Sequence, residues 1–440
     1  MSATKYLNIT LHSYLLMLDI KFIRENADLV KENLKKKFRS VKLVDEVLAL
    51  DEKLREFMKS SQELRAQRNS ISKSIADAKK AGKDPKEFFK LAKSIPQEIA
   101  RIEDEQKIIE EEFMSKLKKI PNMMHESVPI GKDDSDNVEI ERIGEPKIPD
   151  YEVLHHADIA ESLGGVDFDS SRNTSGHGFY FLTGDLAMLH SAILNYARDY
   201  MVQNGFSHTI PPFMIRRAVV EGVMSFAEMD SMMYKIENED LYLIGTSEHS
   251  MIGRFIDSVI DEKKLPLALT SYSPCFRKEV GAHGLEERGL YRLHQFEKQE
   301  MIVICKPEES YKWYDKMLNL SVGFFKSLNI PVRKLECCSG DLADLKAKSA
   351  DVEAWSPRQK KYFEVGSCSN LTEAQARRLR IRIDSGKERY YAHTLNNTVV
   401  ASPRALIALL ENNQQKDGSV KIPTALQPYM LGKKKISPEN

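Results

Sequence analysis

Two series of mostly apolar residues, each with alternating steps of three and four, constrain the first third of the chain more than any other feature. The first series is Val47, Leu50, Leu54, Phe57, Ser61, Leu64, Arg68, Ile71, Ile75 and Ala78, and the second is Phe88, Ala92, Ile95, Ile99, Ile102, Gln106, Ile109 and Phe113. This spacing is typical of a coiled-coil seam. Turn residues, Ala81-Gly82-Lys83-Asp84-Pro85, separate the two series. We therefore predict an antiparallel helical hairpin over about residues 44–120, with a first helix about 48 Å long, and call it the arm.

Proline and charge add two expectations for the arm. Pro96 interrupts the second series, and because proline lacks the N–H of an interior helical position we expect a kink or a broken helix there. Residues 65–93 hold nine basic and three acidic residues. Such a run of charge is often only a solvated helix face. A second interpretation is a coiled coil that holds a dimer together. A third is a surface that binds the backbone of an RNA, because lysine and arginine contacts to phosphates supply sequence-independent affinity.

The composition limits the class of protein. The 440 residues carry 65 Lys+Arg and 65 Asp+Glu, and 42% are hydrophobic, which excludes an apolar-poor disordered chain and favours roughly two to three domains. Five cysteines without a CxxC pair exclude a disulfide scaffold and a thiolate zinc site. No apolar run approaches the ~20 residues of a bilayer span. We expect a cytoplasmic protein with no membrane segment.

Three parts are predicted along the chain. Residues 1–16 contain one basic residue, Lys5, and no arginine, unlike a transit peptide, so we interpret them as a short extension, with Met17 as a second candidate start. Residues 121–149 are rich in Pro, Gly, Asp and Asn, and we place a domain boundary near Gly131. The arm-bearing domain is then 17–130 and the larger domain 131–440.

The larger domain has the pattern of an α+β fold. Helical periodicity covers residues 186–200, 308–325 and 405–412, and strand-like runs cover residues 241–244, 269–276, 301–305, 362–368 and 390–400. The two kinds of segment do not alternate regularly, so a mostly antiparallel sheet is expected. Neither GxxxxGK[ST] nor GxGxxG occurs. Any nucleotide must therefore be held by side chains on the sheet rather than by a glycine-rich loop.

The first candidate cluster follows a predicted strand. Arg277 and Glu279 are two residues apart, so on an extended segment they share a face. A guanidinium suits a phosphate through paired hydrogen bonds, and Phe296 on the returning strand could stack on a base. The simpler alternative is a structural arginine–glutamate pair at the surface.

The second candidate cluster is Ser402-Pro403-Arg404, at the predicted start of a helix. Ser402 can cap the helix and Pro403 suits its first position. A cation such as Arg404 in the first turn is disfavoured by the helix dipole, and a bound anion would resolve that conflict. The alternative is an exposed arginine that tolerates a small cost.

The third candidate cluster consists of polar residues on strand-like stretches. They are Gly245-Thr246-Ser247-Glu248, Glu300, Glu364-Val365-Gly366-Ser367 and Asn396-Asn397-Thr398. Carboxylates can bind an ammonium group or Mg²⁺, and hydroxyls can line a small polar pocket. Ordinary edge-strand polarity is the alternative. Histidines such as His283 and His294 lack zinc-ligand spacing, so no zinc is expected.

Taken together, these elements resemble the seryl-tRNA synthetase family in its common, zinc-independent type, over about residues 17–430. The resemblance rests on Leu18-Asp19-Ile20-Lys21, on the arm, and on segments similar to the three class II synthetase motifs: residues 205–213 for motif 1, Phe276-Arg277-Lys278-Glu279 with Arg288-Gly289-Leu290 and His294-Gln295-Phe296 for motif 2, and Arg404 with residues 405–412 for motif 3. Thr246-Ser247-Glu248, Cys368-Ser369-Asn370 and Gln375-Ala376-Arg377-Arg378 are more specific to the seryl branch.

The resemblance implies a fold and an activity. The fold is α+β, with an N-terminal antiparallel two-helix coiled-coil arm and a class II antiparallel-sheet catalytic domain. The activity is ATP-dependent conversion of L-serine to seryl-adenylate and transfer of serine to the 3′ end of tRNA(Ser). A homodimer that uses motif 1 is also implied. Whether tRNA(Sec) is charged as well is left open.

The resemblance further implies residue roles, with Arg277, Glu279 and Arg404 as catalytic residues. ATP is expected at Arg277, Lys278, Glu279, Leu293, Phe296, Glu364, Val365, Gly366, Ser367 and Arg404, and Mg²⁺ with ATP at Glu364 and Ser367. Serine is expected at Thr246, Ser247, Glu248, Glu300 and Thr398. The tRNA body is expected at Arg65, Arg68, Lys73, Lys79, Lys80 and Lys83, and its acceptor end at the loop 281–290.

Three positions depart from the family pattern. Gly366 stands where the family usually has serine, an aromatic is missing before Asp351, and Pro403 precedes the motif 3 arginine.

Two other functions are compatible with parts of the chain. A synthetase-derived ligase that loads an amino acid onto a protein carrier would share the class II motifs but lack the arm. A catalytically inactive binding protein would lack the phosphate-holding arginines.

Overall fold

The computed structural model describes residues 18–82, 84, 86–225, 229, 231–279 and 289–438. The extension 1–16, Met17, Lys83 and the loop residues 280–288 lie outside this part. The chain divides into two compact units, the first ending at Pro121 and the second beginning at Asn122. Among the described residues, no helix combines the length and the apolar character that crossing a membrane requires.

The first unit contains four helices in its described part: α1 (Ile20–Glu25), α2 (Ala27–Lys36), α3 (Lys42–Lys80) and α4 (Lys86–Leu117). The Asp19 carboxylate caps α1 by accepting from the Lys21 N–H. The Arg24 Nε atom of α1 lies 2.8 Å from the largely buried Asp51 carboxylate of α3, which ties the short helices to the base of the arm. With 39 residues, α3 is about 58 Å long.

Helices α3 and α4 form the predicted antiparallel hairpin. Three contacts fix the direction, with one residue number rising as the other falls: Lys116 Nζ to Glu46 Oε2 at 2.7 Å, Arg65 Nη2 to Glu103 Oε1 at 2.5 Å, and Lys79 Nζ to the Phe89 ring centroid at 5.7 Å. The seam buries Val47, Leu50, Ile95, Ile99, Ile102 and Phe113. Two assignments to the seam were wrong, because Arg68 and Phe88 are exposed.

Pro96 does not break the second helix. Helix α4 continues from Lys86 to Leu117 with Pro96 inside it, so a broken helix, one of the two expected outcomes, is absent, and the kink stays a prediction. The nearest seam residues on either side, Ile95 and Ile99, are buried against α3. Packing of this face offsets the one backbone hydrogen bond that proline cannot make.

The second unit is built on one large sheet with helices on both faces. Its strands are β1 (Val138–Ile143), β2 (Val166–Asp167), β3 (Phe181–Leu182), β4 (Ser207–Thr209), β5 (Met214–Ile215), β6 (Tyr242–Leu243), β7 (Val259–Asp261), β8 (Leu267–Phe276), β9 (Gln295–Cys305), β10 (Val332–Glu336), β11 (Lys348–Ser356), β12 (Lys361–Asn370), β13 (Arg382–Asp384), β14 (Arg389–Tyr391), β15 (His393–Ala401), β16 (Val420–Lys421) and β17 (Lys435–Ile436). The helices of its described part are α5 (His156–Ser162), α6 (Phe168–Ser175), α7 (Gly184–Gln203), α8 (Arg217–Val223), α9 (Ser247–Gly253), α10 (Ser310–Ser327), α11 (Ala374–Leu379) and α12 (Ser402–Asn413).

The main sheet has the strand order β1-β10-β11-β12-β15-β9-β8-β4. All its neighbouring pairs are antiparallel except β4 and β8, which are parallel. The prediction of a mostly antiparallel sheet in an α+β fold is therefore confirmed. Every helix and strand predicted for this unit is present, but β9 begins six residues before its predicted start at 301, and the predicted run 390–400 is divided into β14 and β15.

The central strand β9 is buried on both faces, which explains its continuous apolar end. Met301 and Val303 pack in the main core with helices α7, α10 and α12. Ile302 and Ile304 point to the opposite face and pack in a second core with α9 and α11. The apolar end of the strand fixes its register, and the polar end carries the residues described below.

Two local predictions were wrong. Residues 246–248 are not part of a strand, because Thr246 caps helix α9 and Ser247 and Glu248 form its first turn. Ser402 does not cap α12, since Ala401 occupies the cap position. The Ser402 hydroxyl instead donates to the Glu297 carbonyl and lies 2.8 Å from His190 Nε2.

A buried carboxylate joins α12 to the segment that returns into β9. Glu411 of α12 is 1% exposed; it accepts a hydrogen bond from Ser356, and its Oε1 atom lies 3.2 Å from Arg358 Nε. His156 Nδ1 lies 3.8 Å from the same carboxylate, while His156 Nε2 accepts from the Leu290 N–H at 3.1 Å. Burial acts to raise the pKa of Glu411, but these partners outweigh it and lower the pKa.

We predict that Glu411→Gln lowers the free energy of unfolding of this unit by roughly 3 kcal/mol. Removal of one member of a buried ion pair leaves the other facing a neutral group in a poorly hydrated site. Urea denaturation followed by fluorescence measures the change. Glu152→Gln, at an exposed position, is the matched control and should change stability by less than about 0.5 kcal/mol. Equal stability of the two variants would contradict this role for Glu411.

Candidate active site

A cavity opens on the main sheet beside the start of α12. Residues from β9, β12, β15 and the segment after β8 surround it: Arg277, Glu279, Tyr291, Arg292, Leu293, Phe296, Lys298, Glu364, Val365, Gly366, Thr398, Ala401, Pro403 and Arg404. The two candidate clusters around Arg277 and Arg404, 127 residues apart in sequence, therefore meet in one place. Of the residues predicted to contact ATP, Lys278 and Ser367 do not line this cavity.

Arg277 is held at one side of the cavity by its neighbours. Its Nε atom donates to the Gly245 carbonyl at 3.2 Å, and its Cζ atom lies 5.3 Å from the centroid of the Phe296 ring. A backbone hydrogen bond from Arg277 N to the His294 carbonyl continues the pairing of the two strands beyond Phe276. The guanidinium is therefore oriented in advance at the wall of the cavity.

Arg404 is held at another side of the cavity. Its Nη1 atom donates to the Glu364 carbonyl at 3.1 Å and lies 2.9 Å from Glu364 Oε2, and its Cζ atom is 4.7 Å from the Tyr291 ring centroid. Burial acts to raise the pKa of Glu364, and the charge of Arg404 outweighs it, so the pKa is lowered. The carboxylate compensates for the cation in the first turn of α12.

Of the two residues that follow Arg277, Glu279 lines the cavity and Lys278 does not. The Glu279 carboxylate lies 3.5 Å from Arg292 Nη1, and the Glu279 backbone has a φ of 47°. This left-handed conformation is unfavourable for a side chain larger than glycine. The Lys278 N–H donates to the Met232 carbonyl, which joins the backbone of this segment to the residues around Met232.

Buried polar side chains cluster around Glu300, next to the part of the cavity that Lys298 and Thr398 line, and we call this cluster the polar pocket. Glu300 is 1% exposed, Lys298 Nζ contacts its Oε2 atom, and the Thr246 hydroxyl donates to the same oxygen at 3.4 Å. Thr398 stands opposite Glu300 on the neighbouring strand. Of the predicted serine-binding residues, Ser247 is fully buried in the first turn of α9. The structure thus brings Thr246 and Thr398 beside Glu300, while the binding of serine by the predicted set stays a prediction.

Glu248 faces the same pocket from α9. Gln375 Nε2 donates to Glu248 Oε1 at 2.7 Å, and the Thr394 hydroxyl donates to Gln375 Oε1 at 2.7 Å. Burial and the negative charge of Glu300 raise the pKa of Glu248 to about 7, against the lowering effects of Gln375, Lys298 and Lys346. Two buried carboxylates that repel each other favour a cationic ligand.

The residues predicted to hold Mg²⁺ offer oxygen ligands. Burial and then Glu364 raise the pKa of Asp351 to about 6, while Ser367 acts to lower it. Ser367 stands opposite Asp351 on the neighbouring strand. Carboxylate and hydroxyl oxygens are ligands that Mg²⁺ prefers, and the repulsion between Glu364 and Asp351 is of the kind that a divalent cation relieves, so these residues fit the ion.

The basic residues of the arm are described by themselves. Arg68, Lys73, Lys79 and Lys80 are exposed, whereas Arg65 pairs with Glu103 across the two helices. Lys83 lies outside the described residues. The exposed set therefore presents four positive charges to solvent near the turn of the arm.

Sequence reasoning missed several residues at the site. Tyr291, Arg292 and Lys298 line the cavity, and Gln375 orients Glu248. Lys298 could have been found, because it lies midway between Phe296 and Glu300 with the spacing of one strand face. Gln375 belongs to a segment noted for its resemblance to the seryl branch, but its contact with Glu248 was not predicted, since it joins two short helices that are distant in sequence.

Comparisons with known proteins agree with this geometry. Residues 233–413 match a family model described as the tRNA synthetase class II core domain (G, H, P, S and T), and residues 17–124 match one described as the seryl-tRNA synthetase N-terminal domain. The chain is 44% identical over 421 residues to the serine–tRNA ligase of Methanoculleus marisnigri, which covers 94% of this chain and 99% of that relative.

Two solved structures are similar over almost the whole chain. The crystal structure of seryl-tRNA synthetase from Pyrococcus horikoshii complexed with ATP superposes with a TM-score of 0.91 at 40% identity, covering 96% of this chain and 100% of that one. The cytoplasmic serine–tRNA ligase from Naegleria fowleri in complex with AMP superposes with a TM-score of 0.86 at 35% identity, covering 96% and 99%.

The antiparallel sheet, the cavity with its two arginines and the core-domain match define a class II aminoacyl-tRNA synthetase. The arm and the near full-length identity then narrow the class. The chain belongs to the seryl-tRNA synthetase family, and its enzyme class is that of the serine–tRNA ligases.

Proposed function

We propose that the cavity binds ATP and the adjoining pocket binds L-serine, so that seryl-adenylate forms where they meet and serine is then transferred to tRNA(Ser). The observation that carries this proposal is that Arg277 and Arg404, from separate stretches of backbone, line one cavity with Phe296. Two guanidiniums can hold one triphosphate, and an aromatic ring can stack on its base. The ATP-bound relative from Pyrococcus horikoshii supports this choice of ligand.

The chemistry is mainly a matter of positioning. A carboxylate oxygen of serine attacks the α-phosphorus, the bond to pyrophosphate breaks, and a ribose hydroxyl at the tRNA 3′ end later attacks the activated carbonyl and releases AMP. In this scheme Arg277 neutralises charge at the α-phosphate and Arg404 at the γ-phosphate, while Glu279 lies at the adenosine end. Preorganised charges of this kind stabilise a transition state without further rearrangement.

Mg²⁺ is part of the proposal, with Glu364 and Ser367 as the residues that would hold it. The ion supplies positive charge that neutralises the phosphate oxygens of ATP. Val365 and Gly366 line the cavity between them. A Cβ atom at Gly366 would lie 3.2 Å from the Thr398 carbonyl oxygen, so a residue without a side chain suits this crowded position.

The polar pocket is expected to select serine over alanine more strongly than over threonine. Thr246, Glu300 and Thr398 would hydrogen-bond or pair with the polar groups of serine, and Glu248 would face its ammonium group. A ligand without the hydroxyl leaves buried polar groups unpaired, which is costly, whereas one additional methyl group is opposed only by size. Of the predicted set, Ser247 is proposed only to support the turn that carries Thr246 and Glu248.

The remaining assignments concern partners. The exposed arm residues would contact the tRNA body, and the loop 281–290 would face its acceptor end.

A homodimer is proposed through the motif 1 region, where β4 is an edge strand and Val202, Ile210 and Met214 are exposed. Measurement of the mass of the protein in solution would test the dimer. Charging of tRNA(Sec) stays open, and a cytoplasmic location stays a prediction.

Two alternatives are weaker. A ligase that loads a protein carrier would not need a long basic arm, and the chain has one. A catalytically inactive binding protein would have lost its phosphate-holding groups, yet Arg277, Glu279 and Arg404 line the cavity. The experiments below separate these functions from the proposed one.

We predict that the protein catalyses serine-dependent ATP–pyrophosphate exchange and that Arg277→Ala lowers its rate roughly 100- to 1,000-fold. Loss of one preorganised group that stabilises developing charge has an effect of this size. Arg382→Ala, which removes an arginine that packs on Tyr391 away from the cavity, is the matched control. Exchange with another amino acid and not with serine would reject the proposed function, and near-normal exchange by Arg277→Ala would reject its role.

A second prediction concerns the arm. The triple variant Arg68→Glu, Lys73→Glu, Lys80→Glu should raise the KM for tRNA at least ~10-fold and weaken its dependence on salt, because each lost phosphate contact removes released counterions. Exchange, which needs no tRNA, should persist. Charge reversal at Lys387, Lys416 and Lys434, exposed residues of the second unit, is the control. An unchanged KM for tRNA in the arm variant would show that the RNA lies elsewhere.

A third prediction concerns pH. The pKa of Glu248, raised to about 7, makes this carboxyl neutral below pH 7 and charged above it. The KM for serine should therefore fall as pH rises from 6 to 8, by up to about tenfold per unit below pH 7. Gln375→Met removes a donor that lowers this pKa, and should move the midpoint to higher pH.

Exchange assays at saturating ATP across this range measure the effect. Thr394→Val is the matched control, since it removes the partner of Gln375 Oε1 but keeps the amide that donates to Glu248. Its midpoint should stay closer to the wild-type value than that of Gln375→Met. A KM for serine that is constant from pH 6 to 8 would contradict a titrating Glu248 in the pocket.

A further inference from the structure

Lys298 lies between the cavity and the pocket. It lines the cavity with Arg277 and Phe296, yet its ammonium group contacts the Glu300 carboxylate. Phe296, Lys298 and Glu300 alternate along β9 and so share a face, with about 6.8 Å between successive members. Strand β9 thus presents, in order, an aromatic ring, a cation and an anion.

This order matches the substrates of the proposed reaction. If the base lies at Phe296 and the ammonium group of serine at Glu300, the α-phosphate and the serine carboxylate come together beside Lys298. Both groups are anionic, and repulsion between them opposes the attack. A cation at this point would lower that repulsion.

The ammonium group of Lys298 is nevertheless occupied. The Lys298 side chain is 8% exposed and that of Glu300 is 2% exposed, so the pair is largely out of water. A buried lysine that loses its counter-charge is strongly destabilised. An ammonium that arrives at Glu300 therefore releases Lys298 only if a new anion is within its reach.

We propose that Lys298 changes partner during substrate binding. In the empty site it neutralises Glu300; the ammonium group of serine replaces it there, and Lys298 then pairs with the carboxylate of serine and the α-phosphate of ATP. The inference rests on the proposed function and adds to it a device that couples the two substrates.

The other charged groups near Lys298 are Glu248, Arg277 and Lys346, and none of them is placed to change partner as Lys298 does. Glu248 approaches Glu300 from α9 and adds negative charge to the pocket. Arg277 donates to the Gly245 carbonyl and is not paired with Glu300. Lys346 donates to the Ser349 hydroxyl at 3.2 Å and does not line the cavity. Lys298 alone among these cations both lines the cavity and contacts Glu300.

A partner exchange has a measurable thermodynamic consequence. A ligand that frees Lys298 should strengthen the binding of a second ligand that uses it, and the coupling must be reciprocal. A non-hydrolysable α,β-methylene analogue of ATP with Mg²⁺ should therefore bind at least ~5-fold tighter when serine is present. Isothermal titration calorimetry with the whole protein measures both affinities.

Two fragments of serine isolate the cause in the wild-type protein. Ethanolamine has the ammonium and hydroxyl groups without the carboxylate, so it should free Lys298 and tighten binding of the ATP analogue by the same kind of factor. Glycerate has the carboxylate and hydroxyl groups without the ammonium, so it should leave the Lys298–Glu300 pair in place and give no tightening. Equal effects of the two fragments, or no effect of ethanolamine at saturation, would overturn the proposal.

Variants supply the second test. Lys298→Met should reduce the coupling between serine and the ATP analogue to less than twofold and lower the kcat of exchange roughly 100-fold, with a smaller change in the KM for serine. Lys298→Arg, which keeps the positive charge, should retain part of the coupling and part of the kcat. Lys346→Met is the matched control and should keep the coupling.

The outcomes separate the two claims. No serine-dependent exchange by the wild-type protein would overturn the proposed function itself. Two other outcomes would overturn only the change of partner of Lys298, provided that the wild type shows normal ATP–pyrophosphate exchange. One is full coupling between serine and the ATP analogue in Lys298→Met. The other is a loss of coupling in Lys346→Met that equals the loss in Lys298→Met. If Lys298→Met does not fold, the comparison of ethanolamine with glycerate in the wild type decides the question.

Discussion

The antiparallel pairing of β8 with β9 is the constraint on which the site depends. It runs without a register shift from Leu267 opposite Ile304 to Phe276 opposite Gln295. A slip by one residue would move every side chain of β9 to the opposite face of the sheet, which would exchange the residues of the two cores and carry the polar residues away from the cavity. This register places Phe296, Lys298 and Glu300 on one face and brings the Arg277 segment beside them.

The second constraint is the attachment of α12 to that sheet. Arg404 reaches the cavity from the first turn of α12, where the helix dipole disfavours it, and the Glu364 carboxylate compensates at 2.9 Å. At the other end of the helix, Glu411 is buried among Ser356, Arg358 and His156. Since His156 also accepts from the Leu290 N–H, this network holds α12 to the segment that returns into β9.

Sequence patterns predicted what depends on local periodicity and on recognisable motifs. The arm, the antiparallel sheet and the meeting of Arg277 with Arg404 belong to this group, because seam spacing, strand runs and motif order are all visible in one dimension. The start of α9 was missed because Thr246-Ser247-Glu248 follows a strand-like run without an apolar period. Ser402 was misassigned because its hydroxyl is engaged by Glu297 and His190, and no local pattern reveals such a tertiary partner.

The distribution of charge across the site explains why the substrates would supply counter-charges for its buried groups. Glu248 and Glu300 interact in a buried cluster with Lys298, while Arg277 and Arg404 line the cavity. Buried charges are costly unless paired, so the empty site pairs them internally. A zwitterion beside a triphosphate supplies a cation where carboxylates are in excess and anions where guanidiniums are in excess. The same charges that stabilise the empty site can therefore favour both substrates together over either one alone.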